Sequence, residues 1–187
     1  MQRLIAWLVI GLLPVFSATV FAAGGALDGE KEIFLQDRSG KEINIGWIEF
    51  TPLNAVDSEF KLHLDHSLFK DYFLSMKEMK CLEGPELWCA IPYPYQQPRT
   101  VSLESLRWLE HDLLFMFKKL DSFGANFWNG IYYQLAIEQE QIVGKARALD
   151  LNMLASPPDD MNAPPIGEFD IDDADLDQRW LPYIVIR

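Results

Sequence analysis

The chain has 187 residues, of which 49% are hydrophobic and 24% are charged, and its formal net charge is −12. This composition is typical of a globular protein, and it excludes a wholly disordered chain because disorder requires a low apolar content. The negative charge argues against nucleic-acid binding, since a protein that neutralises phosphates needs a surplus of Lys and Arg. We therefore expect a single globular domain over residues 31–187, with no cofactor and no nucleic-acid partner.

The N-terminal segment has the pattern of an export signal. Arg3 precedes an apolar run over residues 4–16, and small residues follow it. This pattern predicts a signal peptide over 1–22 that is cleaved at its end, followed by a flexible leader over 23–30. A retained membrane anchor is the alternative, because the apolar stretch is long enough to span a bilayer. We expect a periplasmic or secreted protein with no stable membrane insertion after cleavage.

Cys81 and Cys89 flank a Gly-Pro turn. An even number of cysteines in an exported protein predicts a disulfide. A hairpin centred on Pro85 places the two cysteines opposite each other, at a separation that a disulfide can bridge, and places Leu82 opposite Trp88. On the chain-entropy model, closing this loop stabilises the fold by about 2.6 kcal/mol. A redox-active dithiol is the alternative, but the Cys-x-x-Cys spacing typical of such sites is absent.

Hydrophobic periodicity predicts most of the chain as β-strands. Two long strands, over 126–138 and 141–153, form a hairpin around Gln139-Glu140. Further strands are predicted over 32–38, 42–51, 60–65 and 180–186, and residues 67–79 are ambiguous between a helical turn and a strand. The three prolines in 91–98 indicate an extended or edge segment. Four prolines and eight acidic residues predict a long acidic loop over 156–179.

The strongest helix prediction covers about residues 102–120. Leu103, Leu106, Leu109 and Leu113 recur every three or four residues, as on the apolar face of an amphipathic helix. The fold class is therefore α+β. We expect a mostly antiparallel curled sheet or partial barrel of about seven or eight strands, with this helix across one face or mouth.

The three histidines allow an enzyme hypothesis. His63 and Asp65 share a face of a predicted strand, and His111 lies on the predicted helix. Acid–base catalysis requires two of these three groups to converge in one cleft. Because the short catalytic signatures are absent, we favour the interpretation that His63 lies on the polar face of its strand and His111 on the solvent side of its helix.

A weak calcium candidate lies in the acidic loop. Asp173, Asp175 and Asp177 match the first three ligand positions of a calcium-binding loop. The match then fails, because Gln178 stands in place of glycine and Ile184 in place of the bidentate glutamate. We favour a solvated acidic loop and predict no metal centre.

Aromatic residues provide the last functional signal. Tyr and Trp side chains on a sheet line apolar pockets or partner surfaces, although packing in the core is the alternative. The candidate binding face consists of Trp88, Tyr93, Tyr95, Trp128, Tyr132 and Tyr133. We expect this aromatic and proline-rich face to bind a protein partner or a ligand.

A carrier of a small apolar ligand is the alternative function, and it requires a cavity lined by residues such as Ile131, Tyr133 and Leu135. The string Gly130-Ile-Tyr-Tyr-Gln-Leu-Ala136 is loosely similar to the first-strand motif of the lipocalins. In this chain, however, Tyr132 replaces the tryptophan of that family, and the string lies late in the sequence.

The sequence contains the segments Asp37-Arg-Ser-Gly with Ile45-Gly46 and Phe50-Thr-Pro52, Phe73-Leu-Ser-Met76, Cys81-Leu-Glu-Gly-Pro85 with Trp88-Cys89 and Pro92-Tyr-Pro-Tyr95, Leu113-Leu-Phe115, and Trp128-Asn-Gly130. Together these segments resemble an exported proteobacterial family of unknown function. The resemblance implies export, a disulfide and a single domain, and it brings no activity or catalytic residue. We therefore predict a non-enzymatic, disulfide-stapled exported domain.

Overall fold

The computed structural model describes residues 25–74 and 78–187, so the predicted signal peptide lies outside the described residues. In the described ranges the fold is a single antiparallel sheet with short helices. In chain order its strands are β1 (Gly29–Gln36), β2 (Glu42–Pro52), β3 (Asp57–Leu64), β4 (Lys70–Phe73), β5 (Glu78–Glu83), β6 (Glu86–Ala90), β7 (Thr100–Ser102), β8 (Phe115–Lys119), β9 (Gly130–Glu138), β10 (Gln141–Leu149), β11 (Ile171–Asp173) and β12 (Tyr183–Ile186).

The part of the chain that the structure describes contains the helix α1 (Arg107–Asp112) and four 3₁₀ turns, at His66–Leu68, Phe127–Asn129, Leu151–Ala155 and Glu168–Asp170. None of the helices within the described ranges is long and apolar enough to span a membrane.

The sheet runs in the order β4-β5-β6-β8-β9-β10-β12-β1-β2-β3-β7, and β11 pairs with the far end of β10. The predicted mostly antiparallel architecture is confirmed. The predicted count of seven or eight strands is wrong, since twelve strands are present in the described residues. The extra strands include β7 and β11, each three residues long, which are too short to produce a periodic pattern in the sequence.

The sheet curls, so that one end approaches its middle. Helix α1 contacts both β7, at the end of the sheet, and β9, six strands away. In a flat sheet, a spacing of about 4.8 Å between neighbours would separate these two strands by roughly 29 Å. A helix of six residues is only about 9 Å long, so the sheet must bend for α1 to reach both.

The disulfide hairpin has the predicted register. Cys81 lies opposite Cys89 and Leu82 opposite Trp88, and the two sulfurs are bonded. Both cysteines are fully buried. A Cβ atom at Gly84, in the turn, would lie 2.3 Å from the ring of Trp180, so the glycine lets this indole pack directly on the turn.

A bulge in β2 changes which residues face the core. The register with β1 shifts between Ile33 and Phe34, and Gly46 has a φ of +145°. Ile45, which has no register partner on β1, is buried at the bulge, and Ile48 and Phe50 are buried after it. A Cβ atom at Gly46 would lie 2.0 Å from the carbonyl oxygen of His63, so a side chain cannot be accommodated there.

The predicted helix over 102–120 is wrong over most of its length. Only Arg107–Asp112 is α-helical, and residues 115–119 form β8, which lies between β6 and β9. Residues 113–116 are all buried, because a central strand is covered on both faces. Such a continuous apolar run satisfies helical and strand periodicity equally, so spacing alone could not decide between them.

The predicted hairpin of two long strands is confirmed as β9 and β10, with Gln139 and Glu140 in the turn. Residues 25–30, which were expected to belong to a flexible leader, pack against the domain. Leu27 is buried and its carbonyl accepts a hydrogen bond from Ser58 Oγ at 2.7 Å, and β1 already begins at Gly29.

Candidate functional site

Four of the six residues of the predicted binding face lie in the core: Trp88, Tyr93, Tyr132 and Tyr133. Trp88 Nε1 donates to Tyr133 Oη at 3.1 Å, and Tyr133 Oη donates to the carbonyl oxygen of Leu181 at 2.7 Å. Burial raises the pKa of the Tyr133 hydroxyl, which is therefore neutral at every physiological pH. The core interpretation is correct for these four residues, and they form no exposed surface.

The space required by the carrier hypothesis is filled by the protein's own side chains. Ile131 and Tyr133 are buried, and the Tyr133 ring packs edge-on against Phe115 with ring centroids 5.9 Å apart. A Cβ atom at Gly144, opposite Leu135, would lie within 2.7 Å of both Leu135 and Ile184. The packing of these residues gives the carrier hypothesis no support.

Tyr95 and Trp128 lie outside the core. Tyr95 is partly buried and its hydroxyl donates to the carbonyl oxygen of Leu154 at 2.8 Å, so it holds the 3₁₀ turn Leu151–Ala155 in place. Trp128 is 71% exposed, in the turn Phe127–Asn129. Asn126 Oδ1 accepts from Trp128 N at 3.2 Å and thereby caps this turn. Of the six predicted residues, only Trp128 presents most of its ring to solvent.

Trp128 belongs to a longer series of exposed apolar side chains, which we call the apolar edge. It comprises Phe73 at the end of β4, and Leu120, Phe123 and Trp128 in the connection from β8 to β9. Phe73 is 77% exposed and the ring of Phe123 is fully exposed. Isolated exposed apolar residues are common, but several in one region mark an interaction surface.

A backbone hydrogen bond holds the two parts of the apolar edge together. Ala125 N donates to the carbonyl oxygen of Leu74 at 2.7 Å, so the β8–β9 connection lies beside the end of β4. Phe73 and Phe123 are each within two residues of this bond. β4 is also the outermost strand, and within the described residues it pairs only with β5. The edge therefore combines aromatic rings with an outer strand.

The sequence interpretation missed Phe73, Leu120 and Phe123. A signal was available for Phe123, because it lies in Asp121-Ser-Phe-Gly124, a turn that is otherwise polar or glycine. A large apolar residue in a turn has no strand or helix to bury it. For Phe73 the exposure depends on the position of β4 at the end of the sheet, which the local sequence does not specify.

Helix α1 carries three consecutive titratable residues, and the expectation that His111 faces solvent is wrong. His111 is fully buried, and Glu110 is 5% exposed. Glu110 Oε1 accepts from Leu135 N at 2.7 Å, and Glu110 Oε2 accepts from the Tyr132 hydroxyl. β8 pairs with β9 only at Gly130 and Ile131. Further along β9, the Glu110 carboxylate accepts the backbone hydrogen bond from Leu135 N that a neighbouring strand would otherwise accept.

Burial shifts the pKa values of Glu110, His111 and Asp112. Burial raises the pKa of Glu110, lowers that of His111 to about 4 and raises that of Asp112 to about 6. Perturbed groups often mark active sites, but structural networks perturb them as well. His111 Nδ1 contacts the carbonyl oxygen of Arg107 at 2.6 Å and Nε2 accepts from Ile166 N at 3.2 Å. Both ring nitrogens are therefore engaged by the backbone.

The histidines proposed for acid–base catalysis are not brought together. His63 lies on β3 and stacks on Trp47, with ring centroids 3.8 Å apart. Asp65 accepts hydrogen bonds from the backbone and hydroxyl of Ser67, and it caps the turn that follows. His111 contacts neither of them and is enclosed by aromatic rings. His63 and Asp65 do line one surface concavity, but the Asp65 carboxylate is engaged by Ser67, and His111 is buried apart from both.

The three aspartates of the calcium candidate have separate partners. Asp173 pairs with Arg147 at 3.3 Å, and Asp177 lies 3.6 Å from Arg38. Asp175 accepts from the side chain of Gln178 at 2.6 Å. In the part of the chain that the structure describes, no group of three or more His, Cys, Asp or Glu side chains is placed to hold a metal ion.

A surface concavity of about 510 Å³ lies where the acidic loop meets the disulfide hairpin. Arg179 and Glu86 form a buried ion pair there, with Nη1 and Oε1 2.9 Å apart, and Trp180 N donates to Glu86 Oε2 at 3.0 Å. The Arg179 guanidinium lies 3.6 Å from the centre of the Phe117 ring. These contacts attach the end of the loop to the hairpin and explain the burial of the pair without a ligand.

Comparison with protein-family models, with curated proteins and with solved structures found no match to this chain. The chain's own surfaces are therefore the evidence for its function. The apolar edge leaves the rings of Phe73, Phe123 and Trp128 largely in water, and the packing of the fold does not account for this exposure.

Proposed function

We propose that this protein is an exported, disulfide-stapled, non-enzymatic domain that binds a polypeptide partner through its apolar edge. The observation that carries the proposal is the exposure of Phe73 on the outer strand β4 together with Phe123 and Trp128 in the β8–β9 connection, which is hydrogen-bonded to the end of β4. Aromatic residues are enriched in protein interfaces and dominate their energetics, because each ring buries a large area at a small entropic cost.

A polypeptide fits this edge better than a small molecule does. Small ligands bind in concave sites that enclose most of their surface, whereas these rings project from an outer strand and a connecting loop. An outer strand offers unpaired backbone groups to an extended segment of another chain, and neighbouring rings then contact its side chains. β4 and the β8–β9 connection combine the two features.

The pattern of residues 1–22 supports export, as does the disulfide. Disulfides persist in oxidising compartments such as the periplasm and are rare in the cytosol. The Cys81–Cys89 bond is compatible with that location. The partner would then be another exported or outward-facing protein.

Co-purification tests the proposal. The protein, the triple variant Phe73→Ala/Phe123→Ala/Trp128→Ala and the control Phe169→Ala are each purified from periplasmic extracts of the source cell. Phe169 is a fully exposed ring outside the apolar edge, so its removal controls for a general loss of aromatic surface. We expect a partner that is retained by the wild type and the control and lost from the triple variant.

The contrary result is equally clear. If the triple variant unfolds at the same temperature as the wild type and retains the same partners, the apolar edge is not the binding surface. If the only protein retained is a second copy of this chain, the apolar edge mediates self-association and does not bind a different protein.

A further inference from the structure

A second surface concavity, of about 560 Å³, lies on the outer face of β1, β2 and β3. In the register of these strands, Trp47 on β2 lies between Glu32 on β1 and His63 on β3. The lining includes the carboxylates of Glu30, Glu32 and Asp65 and the side chains of Leu64 and Leu68. No Lys or Arg of the described residues lines the concavity.

Among the described residues, no cation contacts a carboxylate of this concavity; the nearby Arg187 acts on Glu32 only at longer range, because its guanidinium is bonded to Glu42. Across residues 25–74 and 78–187, none of Glu30, Glu32 and Asp65 forms an ion pair. Glu32 Oε1 accepts only from the amide of Asn44, at 2.8 Å, which positions the carboxylate without cancelling its charge. The hydrogen bonds from Ser67 lower the pKa of Asp65, so that this group is ionised at neutral pH.

Trp47 provides an aromatic surface between these charges. Its indole is stacked on His63, with an angle of 13° between the ring planes. His63 on β3 covers one face of the indole, and on the other side of β2 the register partner of Trp47 is Glu32 on β1. The side chain of His63 is not fully engaged by the fold, because its buried Nε2 has no hydrogen-bond partner among the described residues.

We propose that this concavity binds the ammonium group of a small organic cation. The face of a tryptophan ring attracts an ammonium group electrostatically, and nearby carboxylates strengthen the attraction. Leu64 and Leu68 contact the alkyl part of such a ligand. A metal ion fits less well, because the His, Asp and Glu side chains here are not clustered as metal ligands. This site is separate from the apolar edge and does not depend on it.

Calorimetric titration with three probes tests the proposal: choline, n-butylammonium and 3,3-dimethylbutan-1-ol, which is a neutral isostere of choline. We expect at least one of the two cations to bind about tenfold more tightly than the neutral isostere, and to bind more weakly as ionic strength rises. Choline and butylammonium distinguish a quaternary from a primary ammonium ligand.

Variants identify the site. Trp47→Ala should weaken cation binding about tenfold and Glu32→Gln about threefold, whereas Glu104→Gln, which removes an exposed carboxylate elsewhere, should leave it unchanged. Trp47→Phe keeps an aromatic face and should retain most of the affinity if Trp47→Ala does not fold. Equal affinity for the cations and the neutral isostere, or full affinity in a folded Trp47→Ala variant, would overturn the proposal.

Discussion

His111 Nε2 accepts a hydrogen bond from Ile166 N at 3.2 Å, and both residues are buried. The second ring nitrogen, Nδ1, lies 2.6 Å from the carbonyl oxygen of Arg107 and donates to it. The imidazole is therefore neutral and protonated on Nδ1. Arg107 also donates to the carbonyl oxygens of Pro164 and Ile166. One turn of α1 thus fixes the middle of the acidic loop to the domain.

Replacing His111 by phenylalanine should destabilise the protein by about 2 kcal/mol. The substitution preserves most of the ring volume but leaves the buried Ile166 N–H without an acceptor, which costs about 1–3 kcal/mol. We also expect the Ile166 amide to exchange its hydrogen faster, since the loop is less firmly held. Urea unfolding and hydrogen-exchange mass spectrometry measure the two effects.

His66→Phe is the matched control, because His66 is exposed. This substitution should change the free energy of unfolding by less than about 0.5 kcal/mol. If His111→Phe were as stable as the control and its loop equally protected, the bond to Ile166 would not hold the loop.

The stability of the protein between pH 4 and 6.5 should contain two opposing contributions from α1. The pKa of His111 is lowered to about 4, so over this window the unfolded state binds more protons at His111 and stability rises with pH. The pKa of Asp112 is raised to about 6 from 3.8, so here the folded state binds more protons and stability falls as pH rises. The two effects partly cancel.

Asp112→Asn removes the contribution by which Asp112 lowers the stability as the pH rises. We expect the free energy of unfolding to rise more steeply with pH in this variant, by about 2–3 kcal/mol in total between pH 4 and 6.5. Urea unfolding at several pH values measures the difference. Parallel curves for wild type and variant would show that Asp112 titrates normally in the folded protein.

Gly46→Ala should be among the most damaging single substitutions in the chain. It places a Cβ atom 2.0 Å from a backbone carbonyl oxygen and imposes a φ of +145° on alanine. We expect a loss of about 3 kcal/mol or more in the free energy of unfolding. Gly124→Ala is the control, because its φ is also positive, at +66°, but its nearest contact is 3.6 Å away, and it should cost about 1 kcal/mol. Similar losses at both positions would contradict the close approach at the bulge.

The buried ion pair between Glu86 and Arg179 gives a prediction for the loop terminus. Glu86→Gln should cost about 3 kcal/mol, because it leaves the buried guanidinium without a counter-charge. The double variant Glu86→Gln/Arg179→Met should recover most of this loss. The more exposed pair of Glu42 and Arg187 is the comparison, and Glu42→Gln should cost below about 1 kcal/mol. Thermal and urea unfolding measure these losses. Equal losses in the free energy of unfolding for Glu42→Gln and Glu86→Gln would contradict a special role of the buried pair.

Features specified by local sequence were predicted correctly. The disulfide hairpin has the predicted pairing because the Gly-Pro turn and the two cysteines fix the register within nine residues. The hairpin of β9 and β10 was also predicted, because its two strands are long, alternating and joined by a two-residue turn. In these cases the local pattern and the tertiary structure agree.

Features that depend on neighbours in space were not predicted. In the apolar run at residues 113–117, residues 115–117 belong to the central strand β8 because β6 and β9 lie on its two sides, which the spacing of the run does not indicate. Tyr132 and Tyr133 are both buried because β9 is covered on both faces. The exposure of Phe73 follows from the outer position of β4. The order of strands in the sheet therefore decides which of these aromatic residues is buried and which is exposed.

Site-specific photo-crosslinking in intact cells tests the central claim most directly. A photoreactive phenylalanine analogue is introduced at position 123 in the apolar edge, and at position 169 in an equally exposed control. We predict a discrete adduct to another polypeptide from position 123, absent from position 169 and abolished by Phe73→Ala/Trp128→Ala. No adduct from position 123, or the same adducts from both positions, would contradict binding through the apolar edge.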